Sequence, residues 1–353
     1  MTNFDNQHTQ IDGTDIFRCE LQTFNKRLSP PNVEDRGSLL REQNKYGDTI
    51  LHLSALFGTT NNTRTLVADV SQENKFSALC LQNKQGMTAT RIASRKGHDT
   101  HVREHLQGLL TDQQVTLLSK KDLEGITAIH AASVCGNDTV TEALFRDINA
   151  DRKVSLLNIQ CKKGHTAIHY AVSNNKLGVL KIQMSDLEQR HATQIFSTKD
   201  TNGKTPLHRV NSPEAVGIIR ESLQNSWFDL LKEKDANGDT VLHIAARSNN
   251  TDLVTSLLEG LTDPQKIELI GITNKGKRNA VQEAVRSEYS HSLDILVKNI
   301  PEHTRKDIFN SKDSRGRNAM HYASEINGLG LPTLIIPTAK PPALLEDSKL
   351  FYI

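Results

Sequence analysis

The chain of 353 residues carries 43 lysines and arginines against 41 aspartates and glutamates, so its net charge is only +2, and 36% of its residues are hydrophobic. The small net charge disfavours a protein that binds a highly charged polymer, and the hydrophobic content is sufficient for a core. No run of 18 apolar residues is present, which excludes a membrane-spanning helix of the usual kind.

The polar start of the chain and its four cysteines predict a cytoplasmic protein. The first 15 residues contain too few hydrophobic side chains for a cleavable signal peptide. None of the cysteines forms a C-x-x-C pair, and their spacing fits neither a disulfide framework nor a zinc site. We expect free thiols, no cofactor, no metal ion and no small-molecule substrate.

Two segments precede the regular part of the chain. Residues 1–13 are predicted to form a mobile N-terminus, and residues 14–43 an N-terminal capping segment. Ile16, Phe17, Leu21 and Phe24 favour a helix within the capping segment.

From residue 44 onwards a short motif recurs. The pattern G-x-T-x-(L/I/M)-H occurs, complete or with one departure, at residues 47–52, 125–130, 164–169, 203–208, 238–243 and 316–321. Residues 86–91 and 277–282 are weaker copies, because Arg91 and Gln282 occupy the histidine position and Lys277 replaces the glycine. Successive copies lie 39 residues apart, except for one interval of 35 residues between 203 and 238. We number the corresponding eight repeats from 1 to 8 along the chain.

Each copy has the features of a turn that leads into a helix. An Asp or Asn usually stands three residues before the glycine, which tolerates positive φ in such a turn. The threonine then caps the helix through its side-chain oxygen. In the complete copies a cluster of Gly or Asn, such as residues 136–138 or 248–250, ends this first helix and begins a second.

The motif and the helix pair together resemble the ankyrin repeat, whose pattern is D-x-x-G-x-T-x-L-H-x-A. The resemblance covers residues 44–326, with the eighth repeat incomplete. It implies an all-α, ankyrin-type solenoid of stacked helix pairs with turn fingers, and a non-catalytic module that binds or scaffolds other proteins. The family's usual period is about 33 residues, so each repeat of this chain must contain an additional segment.

The additional segment is itself regular. Two apolar residues recur eight and seven residues before every copy of the motif, as Leu39/Leu40, Ala78/Leu79, Leu117/Leu118, Leu156/Leu157, Ile195/Phe196, Leu230/Leu231, Leu269/Ile270 and Ile308/Phe309. Residues that favour helix starts precede these pairs, including Pro264 at a first-turn position. We therefore predict a short third helical segment in each repeat, with its apolar pair buried.

Two regions depart from this pattern. The 35-residue repeat lacks four residues near Pro213, where its first helix should end, which predicts a tighter turn between its helices. In residues 327–353, prolines interrupt any helix and leave a proline-interrupted C-terminal tail. The sequence leaves open whether this tail covers the last repeat or marks a truncation.

The 14 histidines do not indicate a catalytic or metal site. The resemblance implies that the histidines of the motif are structural, each joining the threonine of its own repeat to the neighbouring turn: His52, His130, His169, His208, His243 and His321. His98, His101 and His105 share one helical face, which we interpret as solvated. No catalytic motif is present, so we expect no enzyme.

Stacked repeats of the ankyrin type offer a partner their finger tips and the concave face of their first helices. Basic residues dominate both surfaces in this sequence, and three of its five tyrosines fall there. We therefore expect a partner protein with an acidic segment, bound chiefly to repeats 2 to 5. The predicted partner-binding residues are Tyr46, Arg91, Arg95, Lys96, Lys162, Lys163, His165, Tyr170, Lys204 and Arg209.

Three alternatives use the same surface. Arrays with such inserts also resemble those that intracellular bacteria deliver to host cells, so a host-directed bacterial effector is one alternative. A subunit that regulates an enzyme is the second. Nucleic-acid binding is the third and weakest, because the sequence has no recognisable nucleic-acid-binding motif and no cluster of interleaved basic and aromatic residues.

Overall fold

A computed structural model describes residues 37–68, 70–287 and 290–325. The predicted mobile N-terminus, the capping helix and the proline-interrupted tail lie outside these residues. All regular secondary structure in the described part is helical, which confirms the predicted all-α fold.

The helices belong to two compact units, and the division between them falls within the shortened repeat 5. The first unit runs to Arg209 and includes Glu221–Gln224, whereas the second comprises Val210–Arg220 and the chain from Asn225.

Repeats 1 to 4 lie in the first unit, and each has three helices. They are Ile50–Phe57 (α1), Thr60–Val67 (α2) and Gln72–Leu79 (α3) in repeat 1; Ala89–Lys96 (α4), Asp99–Leu106 (α5) and Thr111–Leu118 (α6) in repeat 2; Ala128–Cys135 (α7), Asp138–Phe145 (α8) and Ala150–Leu157 (α9) in repeat 3; and Ala167–Ser173 (α10), Leu177–Met184 (α11) and Gln189–Phe196 (α12) in repeat 4.

Repeats 6 and 7 repeat the three-helix arrangement in the second unit, and repeat 8 is described only as far as its first helix. The bounds are Val241–Arg247 (α15), Thr251–Leu258 (α16) and Asp263–Gly271 (α17) in repeat 6; Ala280–Arg286 (α18), Ser290–Lys298 (α19) and Glu302–Asn310 (α20) in repeat 7; and Ala319–Glu325 (α21) in repeat 8.

In repeat 5, which is four residues shorter than the others, the first two helices differ from their counterparts. Its first helix is reduced to the short 3-10 helix Pro206–Arg209, and its second helix, Pro213–Leu223 (α13), is longer than its counterparts. A 3-10 helix at Gln224–Ser226 leads into the short third helix Trp227–Leu231 (α14). The four missing residues thus correspond to the end of the first helix and the turn after it, near Pro213, as the sequence predicted.

Local side-chain chemistry sets the ends of the first helices. In repeat 3, the side-chain oxygen of Thr127 accepts the backbone N–H of His130 and caps the start of α7. At its end, Gly136 has a φ of 74° in the left-handed region that favours glycine. Repeats 4 and 6 use Asn175 and Asn249 with a φ of 51° instead, because asparagine also tolerates this conformation.

The third helices confirm the interpretation of the additional segment. Both residues of all eight apolar pairs are buried, from Leu39/Leu40 to Ile308/Phe309. Burial of a leucine-sized side chain contributes about 1.5–3 kcal/mol relative to exposure. The third helix is therefore part of the core and not an irregular loop.

Equivalent helices of successive repeats pack against one another within the first unit. The first helices α1, α4, α7 and α10 contact each other in this order, as do the second helices α2, α5, α8 and α11 and the third helices α3, α6, α9 and α12. Residues at equivalent positions consequently form columns that run from repeat to repeat.

The histidine face of α5 is buried, so the predicted solvated face is wrong for two of its three residues. His101 and His105 are fully buried, and only His98 is partly exposed. Nδ1 of His105 lies 3.1 Å from the side-chain oxygen of Thr90, and Nε2 of His101 lies 3.5 Å from that of Ser54. Burial lowers the pKa of His101 to about 4 and that of His105 well below its ordinary value.

Two buried lysines join neighbouring repeats at the ends of second helices. Lys75 of α3 donates to the backbone oxygens of Glu104 and Gln107 at the end of α5, at 2.6 and 2.7 Å. Lys153 of α9 donates in the same way to Ile182 and Ser185 at the end of α11, at 2.7 and 2.8 Å. A cation at a helix C-terminus satisfies carbonyl groups that lack partners within the helix. Burial lowers the pKa of each lysine to about 8.

Candidate functional site

In seven of the eight repeats the finger is a turn built around one Asp or Asn side chain, whereas repeat 4 has Cys161 at this position. In repeat 3, Oδ1 of Asp122 accepts the backbone N–H groups of Glu124 and Ile126 at 2.9 and 2.8 Å. Asn44, Asn83, Asp200, Asp235, Asn274 and Asp313 make the same pair of hydrogen bonds in their own repeats. The outer end of each finger comprises the residues two before, one before and one after the glycine, of which the last is half-buried or, in the case of Asp239, buried. We call these the tip positions.

Neighbouring fingers approach each other closely at the glycine. The N–H of Lys162 donates to the oxygen of Glu124 at 3.0 Å, which joins the fingers of repeats 3 and 4. A Cβ on Gly125 would lie 2.9 Å from the backbone of Cys161 and Lys162. The glycine is thus required both by its φ of 80° and by the adjacent finger.

Four of the six motif histidines, in repeats 1, 3, 4 and 6, connect the first helix to the next finger. His208 contacts Thr205 of its own repeat, and His321 is exposed and contacts Asn318 of its own repeat. In repeat 4, the N–H of Thr166 donates to Nδ1 of His169 at 3.1 Å, so Nε2 carries the proton. Nε2 then donates to the backbone oxygen of Lys204 in the finger of repeat 5 at 3.0 Å. His52, His130 and His243 reach Met87, His165 and Arg278 in the same way. Burial lowers the pKa of His130 and His169 to about 4, which keeps both neutral at pH 7.

The two weaker copies of the motif keep this connection by other chemistry. In repeat 7, Oε1 of Gln282 accepts the N–H of Asn279 at 2.9 Å, and its Nε2 donates to the oxygens of Ser311 and Arg317 at 2.7 and 3.4 Å. In repeat 2, Arg91 instead forms an ion pair of 2.5 Å with Asp122 of the next finger.

The ion pair removes Arg91 from the predicted partner-binding residues. Its side chain is 10% exposed, and its guanidinium is paired within the repeat stack. A buried charge must be paired, so a partner cannot recruit this group without breaking the connection between repeats 2 and 3.

Three other predicted residues lie together where repeats 4 and 5 meet. Nη2 of Arg209 lies 2.8 Å from Nε2 of His165, and Arg209 also pairs with the buried carboxylate of Asp200. The ring centroid of Tyr170 is 5.2 Å from that of His165, and its hydroxyl lies 3.6 Å from Sγ of Cys161.

Internal contacts also define the charge of this group. Burial, reinforced by Arg209, lowers the pKa of His165, so that His165 is not an additional cation at neutral pH. Burial and the contact with Cys161 raise the pKa of Tyr170. Most hydrogen-bonding atoms of Arg209, His165 and Tyr170 thus have partners within the protein. Because Arg209 is paired with Asp200, it contributes less positive charge to the surface than the sequence suggested.

The remaining predicted residues are at least partly exposed but belong to different repeats. Lys162, Lys163, Arg95 and Lys96 are exposed, Lys204 is half-buried, and Tyr46 is 44% exposed with Nζ of Lys45 5.0 Å from its ring centroid. Lys162 lies 3.9 Å from the carboxylate of Glu124, an exposed pair with a small energetic effect.

Two exposed apolar residues of repeat 3 are not among the partner-binding residues predicted from the sequence. Leu123, at a tip position, is 59% exposed, and Val134, near the end of α7, is 43% exposed. The equivalent positions of the adjacent repeats hold Lys84 and Lys162 for Leu123, and Arg95 and Ser173 for Val134. An apolar residue between polar residues at the equivalent positions of both adjacent repeats was the signal that could have identified them.

Other kinds of site find no support in the described residues. No cluster of three or more histidine, cysteine or acidic side chains there could hold a metal ion. No helix in the same residues is long and apolar enough to cross a membrane.

Comparison with known proteins agrees with the repeat architecture. Residues 212–307 match the family model that describes ankyrin repeats in three copies. This stretch contains the second helix of repeat 5, all of repeat 6 and most of repeat 7. No curated protein matches the chain.

Proposed function

Because the chain is an ankyrin repeat protein, we propose that it is a non-catalytic scaffold that holds an acidic segment of a partner protein on repeats 2 to 5. Ankyrin repeats act in protein–protein interaction, and the columns of equivalent residues provide a long surface that varies without affecting the core. The proposed surface comprises the tip positions and the outward residues of the first helices in these repeats.

The charge of the exposed tips is the observation that carries this proposal. Among the tip positions of the first unit, the exposed charged residues are Lys45, Lys84, Lys162, Lys163 and a single acid, Glu124. Arg95 and Lys96, exposed at the end of α4, extend the basic surface. A field of one sign attracts a segment of the opposite sign and raises its rate of association.

Leu123 and Val134 supply the apolar part of the same surface. Both belong to repeat 3, whose neighbours along the stack carry Arg95 and Lys96 on one side and Lys162 and Lys163 on the other. An apolar contact surrounded by charged residues is the usual arrangement of an energetically dominant interface position. The surface therefore suits an acidic segment that also presents a hydrophobic side chain.

Affinity capture with the full chain, followed by binding kinetics at two salt concentrations, tests the proposal. The charge-reversed variant Lys162→Glu, Lys163→Glu should slow association of the captured partner on the order of tenfold at low salt and weaken its salt dependence. Leu123→Ser should mainly accelerate dissociation. Lys181→Glu with Arg190→Glu is the matched control, because it reverses two exposed charges on the second and third helices of repeat 4.

Binding of every captured protein with unchanged kinetics in both test variants would refute this placement of the site. Capture that disappears after nuclease treatment would instead favour the nucleic-acid alternative. Equal effects of the test and control reversals would indicate general charge attraction without a defined surface.

A further inference from the structure

The second unit contains a cavity of about 350 Å³ between the fingers of repeats 6 and 7. Four cationic side chains contribute to its lining, Arg247, Lys275, Arg278 and Arg286, together with Asn274 and one acid, Asp239. Arg247 and Arg286 end the first helices of the two repeats, whereas Lys275 and Arg278 belong to the finger of repeat 7. Cations from both repeats and from both kinds of element therefore face one space.

A single buried carboxylate organises these arginines. Glu283 is fully buried and accepts Nε of Arg247 at 3.0 Å, Nε of Arg278 at 2.7 Å and Nδ2 of Asn274 at 2.9 Å. Nη1 of Arg286 lies 3.9 Å away. Each of the two close arginines is held through Nε, which fixes the plane of its guanidinium.

The charges of the cavity do not cancel. Glu283 and Asp239 provide two negative charges against the four positive charges of Arg247, Lys275, Arg278 and Arg286. Burial would raise the pKa of Glu283, but hydrogen bonds from Arg247 and Arg278 outweigh it and lower the pKa to about 2. Asp239 also accepts hydrogen bonds within the cluster, from Arg247 and Asn274, each at 2.8 Å. Both carboxylates therefore already have donors from the protein.

We propose that this cavity, between the fingers of repeats 6 and 7, is a binding site for a carboxylate side chain of an extended protein segment. The excess of two positive charges exceeds the charge of one carboxylate, and arginines of fixed orientation match its planar shape. The site uses none of the residues proposed for the first unit, so either proposal can fail without the other.

Titration of the full-length protein with blocked tetraglutamate peptide tests this site. The measurement follows the arginine Nε–Hε NMR signals, assigned by substitution of Arg247, Arg278 and Arg286. Tetraglutamine and a blocked phosphoserine peptide provide the two comparison arms. Arg286→Gln is the test variant, because its distant contact with Glu283 makes it the cavity arginine least needed for folding. Lys306→Gln, which removes one exposed charge from α20, is the matched control.

The expected result is a saturable shift of the Arg247 and Arg278 signals with tetraglutamate and none with tetraglutamine. Arg286→Gln should weaken this binding about tenfold at an unchanged unfolding midpoint, as for loss of one charge-assisted hydrogen bond. Lys306→Gln should leave it unchanged. Unmoved arginine signals, equal weakening by the two variants, or a response to phosphoserine peptide alone would each overturn the proposal.

Discussion

Two substitutions of His130 test how the repeats are joined. The N–H of Thr127 donates to Nδ1 of His130 at 3.3 Å, and Nε2 of His130 donates to the backbone oxygen of His165 in the next finger at 3.1 Å. Alanine would remove both hydrogen bonds and leave space in a fully buried position. An unpaired buried N–H group, a partly solvated carbonyl and the lost volume together cost about 2–4 kcal/mol of unfolding free energy.

Glutamine at the same position should be much milder, because Gln282 already performs this task in repeat 7. Oε1 of Gln282 takes the place of the histidine Nδ1 and accepts the N–H of Asn279 at 2.9 Å. Nε2 of Gln282 takes the place of the histidine Nε2 and donates to the backbone oxygens of Ser311 and Arg317. We expect His130→Gln to restore at least half of the loss caused by His130→Ala.

Urea unfolding followed by helical circular dichroism measures both variants, and the shift of the midpoint is the quantity to compare, since repeat arrays need not unfold in two states. An alanine variant as stable as the original protein would refute a structural role for His130. A glutamine variant as unstable as the alanine variant would refute the equivalence between the two side chains.

Two further predictions concern pH and the fingers. The pKa values of His130 and His169 are about 4 in the folded protein and about 6.5 when unfolded, so the unfolded chain binds more protons between these values. Stability should be complete above pH 6.5 and fall towards pH 4, on the order of 3 kcal/mol per histidine. The urea midpoint should fall less over this range in His130→Gln, and an identical fall would contradict the assignment. Gly164→Ala should cost at least about 2 kcal/mol more than Gly108→Ala. Both glycines have positive φ, but only the new Cβ at residue 164 would lie 2.6 Å from the N of Thr201. Equal midpoints for the two alanine variants would show that the fingers separate easily.

The fold was predictable because its signals repeat. A glycine with positive φ, a capping threonine and a histidine recur at fixed intervals, and each has a local physical reason. The third helix was predictable for a different reason. An irregular loop does not require two apolar residues at a fixed position, whereas a helix that packs on its neighbours must bury apolar residues at the same position in each repeat. The burial of Ile195 and Phe196 in α12 follows from the same logic as that of Leu117 and Leu118 in α6.

The candidate site was less predictable because exposure depends on the partner of a side chain in the next repeat. Arg91 and Lys96 occupy the same helix, yet the first is buried on Asp122 and the second is exposed. Spacing likewise placed His98, His101 and His105 on one face of α5 but could not show that this face meets the first helices of repeats 1 and 2. Periodicity identifies which residues share a face, and only packing decides which face is covered.

The residue at the histidine position of the motif, here called the motif position, determines how one repeat is joined to the next. A histidine or glutamine there donates to backbone carbonyl oxygens of the next repeat, so the side chain at the base of the next finger takes no part in this link. Asn83 follows His52, Cys161 follows His130, Asp200 follows His169 and Asn274 follows His243. Arg91 differs because its charge is buried and needs a counter-charge. The finger that receives it carries Asp122, whose Oδ2 binds Arg91 while its Oδ1 holds the turn. Asparagine could hold the turn but could not neutralise the arginine. Among these links, only the ionic one therefore involves the side chain 31 positions after the motif position.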